Sequence, residues 1–290
     1  MRFTVRVKRG AIGALAIGTF AGTLLWGAIA PSSATGAANP YDQTPAQLAA
    51  QRLVTHPELD WMGSTVRAHQ PKAGTAQVTP HVSGPLGLDV SGYQGSVNWS
   101  AVAGNGAKFA YVKATESTSY QNPDFSQQYS GSYNAGIIRG SYHFATPNTT
   151  SGAAQADYFV AHGGGWSKDG KTLPGMLDIE YNPYGAECYG LSHSSMVSWI
   201  LSFSNEYHAK TTRWPTIYTT NDWWTTCTGN TGDFSSTNPL MLACYCSSAG
   251  TMPFKWTFQT IWQYSDSGTF PGDQDVFNGT YARVQLLATG

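Results

Sequence analysis

Charge is scarce in this 290-residue sequence: only 11% of its residues are Asp, Glu, Lys or Arg, with 16 basic against 17 acidic. Four of the basic residues, Arg2, Arg6, Lys8 and Arg9, crowd the first nine positions, and without them 12 basic side chains face 17 acidic ones. That acidic balance excludes the basic stripe through which a protein binds nucleic acid. Cysteine is equally rare, with Cys188, Cys227, Cys244 and Cys246 the only four. The last two form C-x-C, not the C-x-x-C of a zinc knuckle, and none of the seven histidines belongs to an H-E-x-x-H arrangement. These patterns argue against dependence on a metal.

What is present begins with a mostly apolar run from Ala11 to Ala30, preceded by the four basic residues and followed by the small-residue stretch SSATGAA. This is the pattern of a secretory signal peptide, residues 1–38, with cleavage near Ala37 or Ala38; an uncleaved membrane anchor is the other reading of the same run. Export makes the protein secreted and extracellular, free of the membrane once the signal is removed, and four cysteines in such a chain point to disulfides. Aromatic residues make up 13%, including 10 Trp and 16 Tyr. That suits a sugar-handling surface, although many secreted proteins are aromatic-rich without one.

Residues 39–85 are rich in Pro, Ala and Thr with little apolar periodicity, apart from TPAQLAAQRL, where Thr44 can cap a short helix with Pro45 at its first position. The stretch reads as an N-terminal extension or linker: a propeptide, a cell-wall spacer or an ordered arm packed on the domain. From Leu86 to Gly290 short apolar runs alternate with helix-like stretches. LGLDVS, FAYVKATES, IIRGSYHFA, TLPGMLDIE, TIYTT, LMLACYC and FQTIWQYS read as strands, and helices are predicted near 99–103, 125–135, 153–161 and 194–208. The alternation argues for a largely parallel sheet, and about eight strands over roughly 200 residues for an α/β, TIM-barrel-like (β/α) barrel. The last third has too few residues between strands for full helices, so the barrel is expected to be irregular and strand-rich in its second half.

In such a barrel the strand C-termini build the mouth. Asp89 closes the first predicted strand, and Asp178 and Glu180 close the fourth. Residues i and i+2 of a strand share a face, about 6.5 Å apart at a rise of about 3.3 Å per residue. Asp178 and Glu180 thus look into the same space. Glycoside hydrolysis needs one carboxylic acid to protonate the leaving oxygen and a second negative group to support an oxocarbenium-like centre. Mutual repulsion among clustered carboxylates raises the pKa of the least solvated, which supplies the acid. A D-x-E taken alone is more often a solvated strand end.

In order, LDVSGYQGSVNW, FAYVKATES, AGIIRGSYHF, LPGMLDIEYNP, IYTTNDWW and TIWQYS resemble the landmarks of the glycoside hydrolase family 25 lysozymes of the Chalaropsis or cellosyl type, over roughly residues 86–287. The resemblance implies a monomeric catalytic domain, residues 86–290, hydrolysing the β-1,4 bond between N-acetylmuramic acid and N-acetylglucosamine in bacterial peptidoglycan. By the same resemblance Glu180 is the general acid, Asp178 its partner and Asp89 the first-strand aspartate. The family's late aspartate, in a D-x-N-x-F pattern, falls on Asp273 of DQDVFNG, with Asp275 where Asn is usual; either could be the functional carboxylate, expected to bind substrate, with a solvated acidic loop as the alternative. Tyr142 matches a cleft aromatic, with barrel packing as its alternative, while Tyr218 and Trp262 suit either sugar stacking or core packing. His143 reads as a structural histidine. The resemblance also suggests a Cys188–Cys227 disulfide. Cys244 and Cys246 are left over, near the upper limit for bridging on an extended strand. Tyr93 in place of Trp, Ser117 in place of Gly and ACYCSS in place of a Trp-containing strand depart from the family pattern.

Two other function classes fit parts of the sequence. A non-catalytic peptidoglycan-binding barrel would keep the aromatics but lose the acid, and both Asp178 and Glu180 are present. A metal-dependent amidase or deacetylase would need a His/Asp ligand set, and none is evident. Triplets of the N-glycosylation form begin at Asn98, Asn148 and Asn278, with meaning only in a host that glycosylates.

Overall fold

A computed structural model describes residues 57–70 and 83–290; the predicted signal peptide and the helix proposed at Thr44 lie outside the described residues. In chain order the elements are α1 (Val66–His69), β1 (Leu86–Val90), α2 (Trp99–Gly104), β2 (Phe109–Glu116), β3 (Tyr120–Gln121), α3 (Phe125–Asn134), β4 (Ile138–Phe144), α4 (Gly152–Phe159), β5 (Met176–Asp178), α5 (His193–Thr211), β6 (Thr216–Thr219), α6 (Asn221–Thr228), β7 (Leu240–Ala243), β8 (Ile261–Ser265), β9 (Asp273–Phe277) and α7 (Tyr281–Thr289). Eight strands close into a barrel in the order β1-β9-β8-β7-β6-β5-β4-β2, with β1 pairing β2 to complete the ring and β3 a short antiparallel appendage on β2. Neighbours from β1 through β2, β4, β5, β6, β7 and β8 are parallel, whereas β9 runs antiparallel to both β8 and β1.

Strand alternation sorts side chains into two cores. Inward-facing Phe109, Tyr111, Tyr142, Met176, Tyr218, Met241, Ile261 and Phe277 fill the barrel. Outward-facing Leu88, Val90, Ala110 and Val112 meet Trp99 and Val102 of α2, while Leu177, Ile179, Ile217 and Leu242 meet α4, α5 and α6 through Phe159, Trp199, Phe203 and Trp224. Strands buried on both faces read as nearly continuous apolar runs, which is why they were legible. Helix starts are capped by side chains as the sequence invites: Asn98, Ser151, Ser192 and Thr220 each accept a backbone N–H of the first turn.

The four predicted helices are present with ends shifted by a few residues. The irregular second half is also found: α6 has eight residues, and no helix separates β7, β8 and β9. The reading of DQDVFNG as a solvated acidic loop is overturned, because Asp273–Phe277 is the strand that closes the barrel and all five residues are buried. Two acidic side chains among three residues hide the strand pattern, since here the inward face of the strand is the polar one.

Cys188 is joined to Cys227, and Cys244 to Cys246. β7 ends at Ala243, so the second pair lies in a bend rather than on an extended strand. Its Cα atoms are 5.2 Å apart, within bridging range.

Candidate active site

The mouth is built from the end of β5 on one side and, across the barrel, from β1 and β9. Beyond the last residue of β5 the ladder continues, with Ile179 N–H donating to Tyr218 O at 3.0 Å, so Glu180 stays on the inward face two residues from Asp178. Both are buried. Across the barrel Asp89 is the register partner of Asp273, and Asp275 pairs with Gly87 one layer deeper. This follows from the reversal of β9: an antiparallel strand brings its first residue to the mouth, whereas the parallel strands bring their last.

Gln263 ties the layer together. Its Nε2 donates to Asp89 Oδ2 and Asp273 Oδ2, both at 2.9 Å, and its Oε1 accepts from Tyr218 OH at 2.7 Å and Tyr245 OH at 3.2 Å. Asp275 lies apart from this network; both of its carboxylate oxygens are buried without a hydrogen-bond partner. Asp178 also has no partner on either oxygen.

Burial raises the pKa of every carboxyl group here. Asp89 is pushed well above the ordinary range by burial and the charge of Glu180, against the Gln263 hydrogen bond. Asp178 is pushed well above it by burial and then by Glu180, with Lys113 opposing. For Asp273 and Asp275 burial comes first and the charge of Asp89 next. Glu180 is raised by burial but held back by donors from Thr65 and Gly63. Five buried carboxyl groups in one barrel, of which Asp178 alone is opposed by the Lys113 charge, resist ionising together.

The residues at 57–70 cross this mouth. Gly63 N–H donates to Glu180 Oε1 at 2.8 Å, Thr65 N–H to Glu180 Oε2 at 3.1 Å, and the Thr65 hydroxyl to the same Oε2. Tyr142, expected in the cleft, is there: its hydroxyl accepts from Met62 N–H at 3.3 Å. Tyr218 lies there too, on Gln263. Trp262 faces the other way. It precedes the inward Gln263, packs against Tyr264 and donates its indole N–H to Cys244 O at 2.8 Å, which makes it a packing residue on the outside of the barrel. His143 is enclosed between Thr115 Oγ1 at 2.8 Å and Gln155 Oε1 at 2.9 Å, and burial pushes its pKa down to about 3. It is a structural histidine.

Several residues at the mouth were not singled out from the sequence. Lys113 is fully buried and its Nζ donates to Glu116 Oε2 and Asp60 Oδ1, each at 2.8 Å; Tyr184 OH donates to Glu116 Oε1 at 2.9 Å and Asp60 Oδ2 at 3.0 Å. A lysine inside the apolar run FAYVKATE was the available signal, since strand lysines in a closed barrel are buried only with partners. Gln263 could have been found by alternation from Trp262. Among the described residues no three His, Cys, Asp or Glu side chains are placed to hold a metal ion, and no helix is long and apolar enough to cross a membrane.

Residues 88–273 match the family described as Glycosyl hydrolases family 25. The chain is 54% identical over 208 residues to the N,O-diacetylmuramidase of a Chalaropsis species, covering 70% of this chain and 99% of that one. It is 53% identical over 211 residues to Lysozyme M1 of Streptomyces globisporus, covering 71% and 72%. The solved muramidase of Acremonium alcalophilum superposes with a TM-score of 0.70 at 54% identity, covering 71% of this chain and 99% of that one.

Proposed function

The chain belongs to the glycosyl hydrolases family 25 and is a glycoside hydrolase, and from that premise we propose that it is an exported lysozyme cutting the β-1,4 bond between N-acetylmuramic acid and N-acetylglucosamine in bacterial peptidoglycan. Glu180 gives its proton to the glycosidic oxygen; Asp178 supports the positive charge that develops at the sugar centre, and Asp89 with Asp273 lines the opposite wall. The observation that carries the reading is the meeting of Asp178 and Glu180 on one inward face, at the mouth end of β5, with Asp89 across from them. The names of the relatives, an N,O-diacetylmuramidase and a lysozyme, point to the same bond. So does a burial-raised Glu180, which keeps a transferable proton to higher pH than a solvated glutamate.

Incubation with purified cell walls, with and without chelator, tests the proposal. New reducing ends that form at equal rates in both conditions are expected. Release of amino groups without reducing ends would identify an amidase, and binding to walls without any new end a non-catalytic barrel.

A further inference from the structure

Residues 57–70 fill the mouth, and Asp60, Met62, Gly63 and Thr65 each bring polar groups that bond to residues of the site. Met62 is completely buried among the barrel aromatics; its N–H donates to Tyr142 and its carbonyl accepts from Gln263 Nε2 at 3.2 Å. Asp60 pairs with Lys113 and Tyr184. Trp61 stacks on Tyr93 with ring centroids 6.3 Å apart, although Tyr93 stays more than half exposed. At the far rim Arg67 pairs with Asp266, and His69 stacks on Tyr181 at 3.7 Å. Gly63 is the point of closest approach. Its φ of +96° is a glycine conformation, and a Cβ there would come within 2.6 Å of Tyr245 OH and 2.7 Å of Gln263 Oε1.

The chemistry offered to Glu180 is the opposite of what a glycan offers. A glycosidic oxygen is an acceptor and calls for a protonated glutamic acid. The segment presents two backbone N–H groups and a hydroxyl, which call for an acceptor on both oxygens. It also spends the Lys113 ammonium on Asp60, leaving less of that charge to keep Asp178 ionised. We propose that residues 57–70 are an intramolecular inhibitor, which occupies the glycan cleft, holds Glu180 as an acceptor and must vacate the mouth before substrate enters. The proposal rests on the reading of Glu180 as the acid. In the closed site burial raises both carboxyl groups, Asp178 further through the charge of Glu180, while the donors from Thr65 and Gly63 oppose the rise at Glu180. Closure therefore works against the proton that the catalytic assignment puts on Glu180.

The barrel does not need the segment to fold. Among the described residues all nine strands lie between Leu86 and Phe277, and 99% of the Acremonium alcalophilum chain is matched by 71% of this one. Three proteins decide the matter: the chain from Asn39, which is the compact unit holding the described residues; the same chain with Gly63→Val; and residues 83–290. Each is assayed for reducing ends from cell walls and, by calorimetry, for binding of chitotetraose, which needs no turnover. The expectation is that residues 83–290 and the Gly63→Val chain cut walls on the order of tenfold or more faster than the chain from Asn39, and bind the oligosaccharide correspondingly tighter. Equal rates and equal affinities in all three overturn the proposal. If residues 83–290 bind the oligosaccharide more tightly than the longer chain yet release no reducing ends, the inhibitor stands and the catalytic reading falls.

Discussion

Asp89 and Asp273 stand opposite each other in the antiparallel register of β1 and β9, and a single amide nitrogen, Gln263 Nε2, donates to both at 2.9 Å. Without that donor two buried carboxyl groups would face each other with nothing between them. Gln263→Ala should therefore displace both and lower kcat on cell walls by about 10²-fold, the cost of a misplacement of about 1 Å, with an unchanged circular-dichroism spectrum. An unaltered kcat would place both aspartates outside the reaction.

The paired carboxyl groups of β5 should separate by substrate, in residues 83–290 so that the mouth is open. Glu180→Gln keeps the shape but loses the proton, and general acid catalysis is typically worth about 10²–10⁴-fold. On walls both Glu180→Gln and Asp178→Asn should be almost inactive. On an aryl glycoside whose leaving group needs no proton, Glu180→Gln should recover in the release step and Asp178→Asn should not, because its defect lies at the sugar centre. Recovery of Asp178→Asn alone would reverse the two roles.

The pH profile of wall hydrolysis should be bell-shaped, its alkaline limb reporting loss of the Glu180 proton and its acid limb protonation of the supporting carboxylate. Burial raises Glu180 from 4.5, and a raised acid is lost at higher pH, so the alkaline limb should lie above 4.5. A limb at or below that value, measured as kcat against pH, removes burial from the account.

His143 should leave a signature in stability rather than in rate. Its folded pKa is about 3 against 6.5 for a free imidazole, so between those values the unfolded chain binds the extra proton. The stabilising contribution is complete above 6.5 and is lost as pH falls toward 3, by at most about 1.4 kcal/mol per pH unit. His143→Gln should be less stable at pH 7 but show a shallower decline from pH 6 to pH 4 in urea unfolding. An identical slope would mean that His143 is not buried neutral.

The two disulfides should differ in weight. Cys188–Cys227 spans 39 positions and Cys244–Cys246 only two, worth about 4 and about 1.6 kcal/mol in the chain-entropy model. Replacing the first pair by serine should lower Tm by roughly 10 °C, and the second by a few degrees. Equal losses would show that chain entropy does not set the difference.

Asp178, Glu180 and Asp89 were legible because the apolar runs that carry them are long and end in acid, and a parallel strand brings its end to the mouth. Asp273 was placed only by resemblance, since β9 has an inward face that is acidic and reads as a loop. Of the two roles open to Trp262 the structure gives packing, by one register step: its neighbour Gln263 takes the inward face. An arm packed on the domain was one of three readings of residues 39–85, but that residues 57–70 pack across the mouth could not be read. Its contacts are single polar groups, such as Gly63 N–H on Glu180, and a backbone donor has no signature in sequence.

Among the barrel strands β1 is made first and β9 last, yet each lies against the other. Until β9 arrives β1 keeps an unpaired edge, Asp89 has no neighbour across it, and the bridging amide of Gln263 lacks one of its two carboxylates. The pairing has a long sequence separation, so barrel closure is a late and slow step of folding. An incomplete chain, stalled in synthesis or clipped before Asp273, carries Asp89, Asp178 and Glu180 without the closed ring that makes them a site.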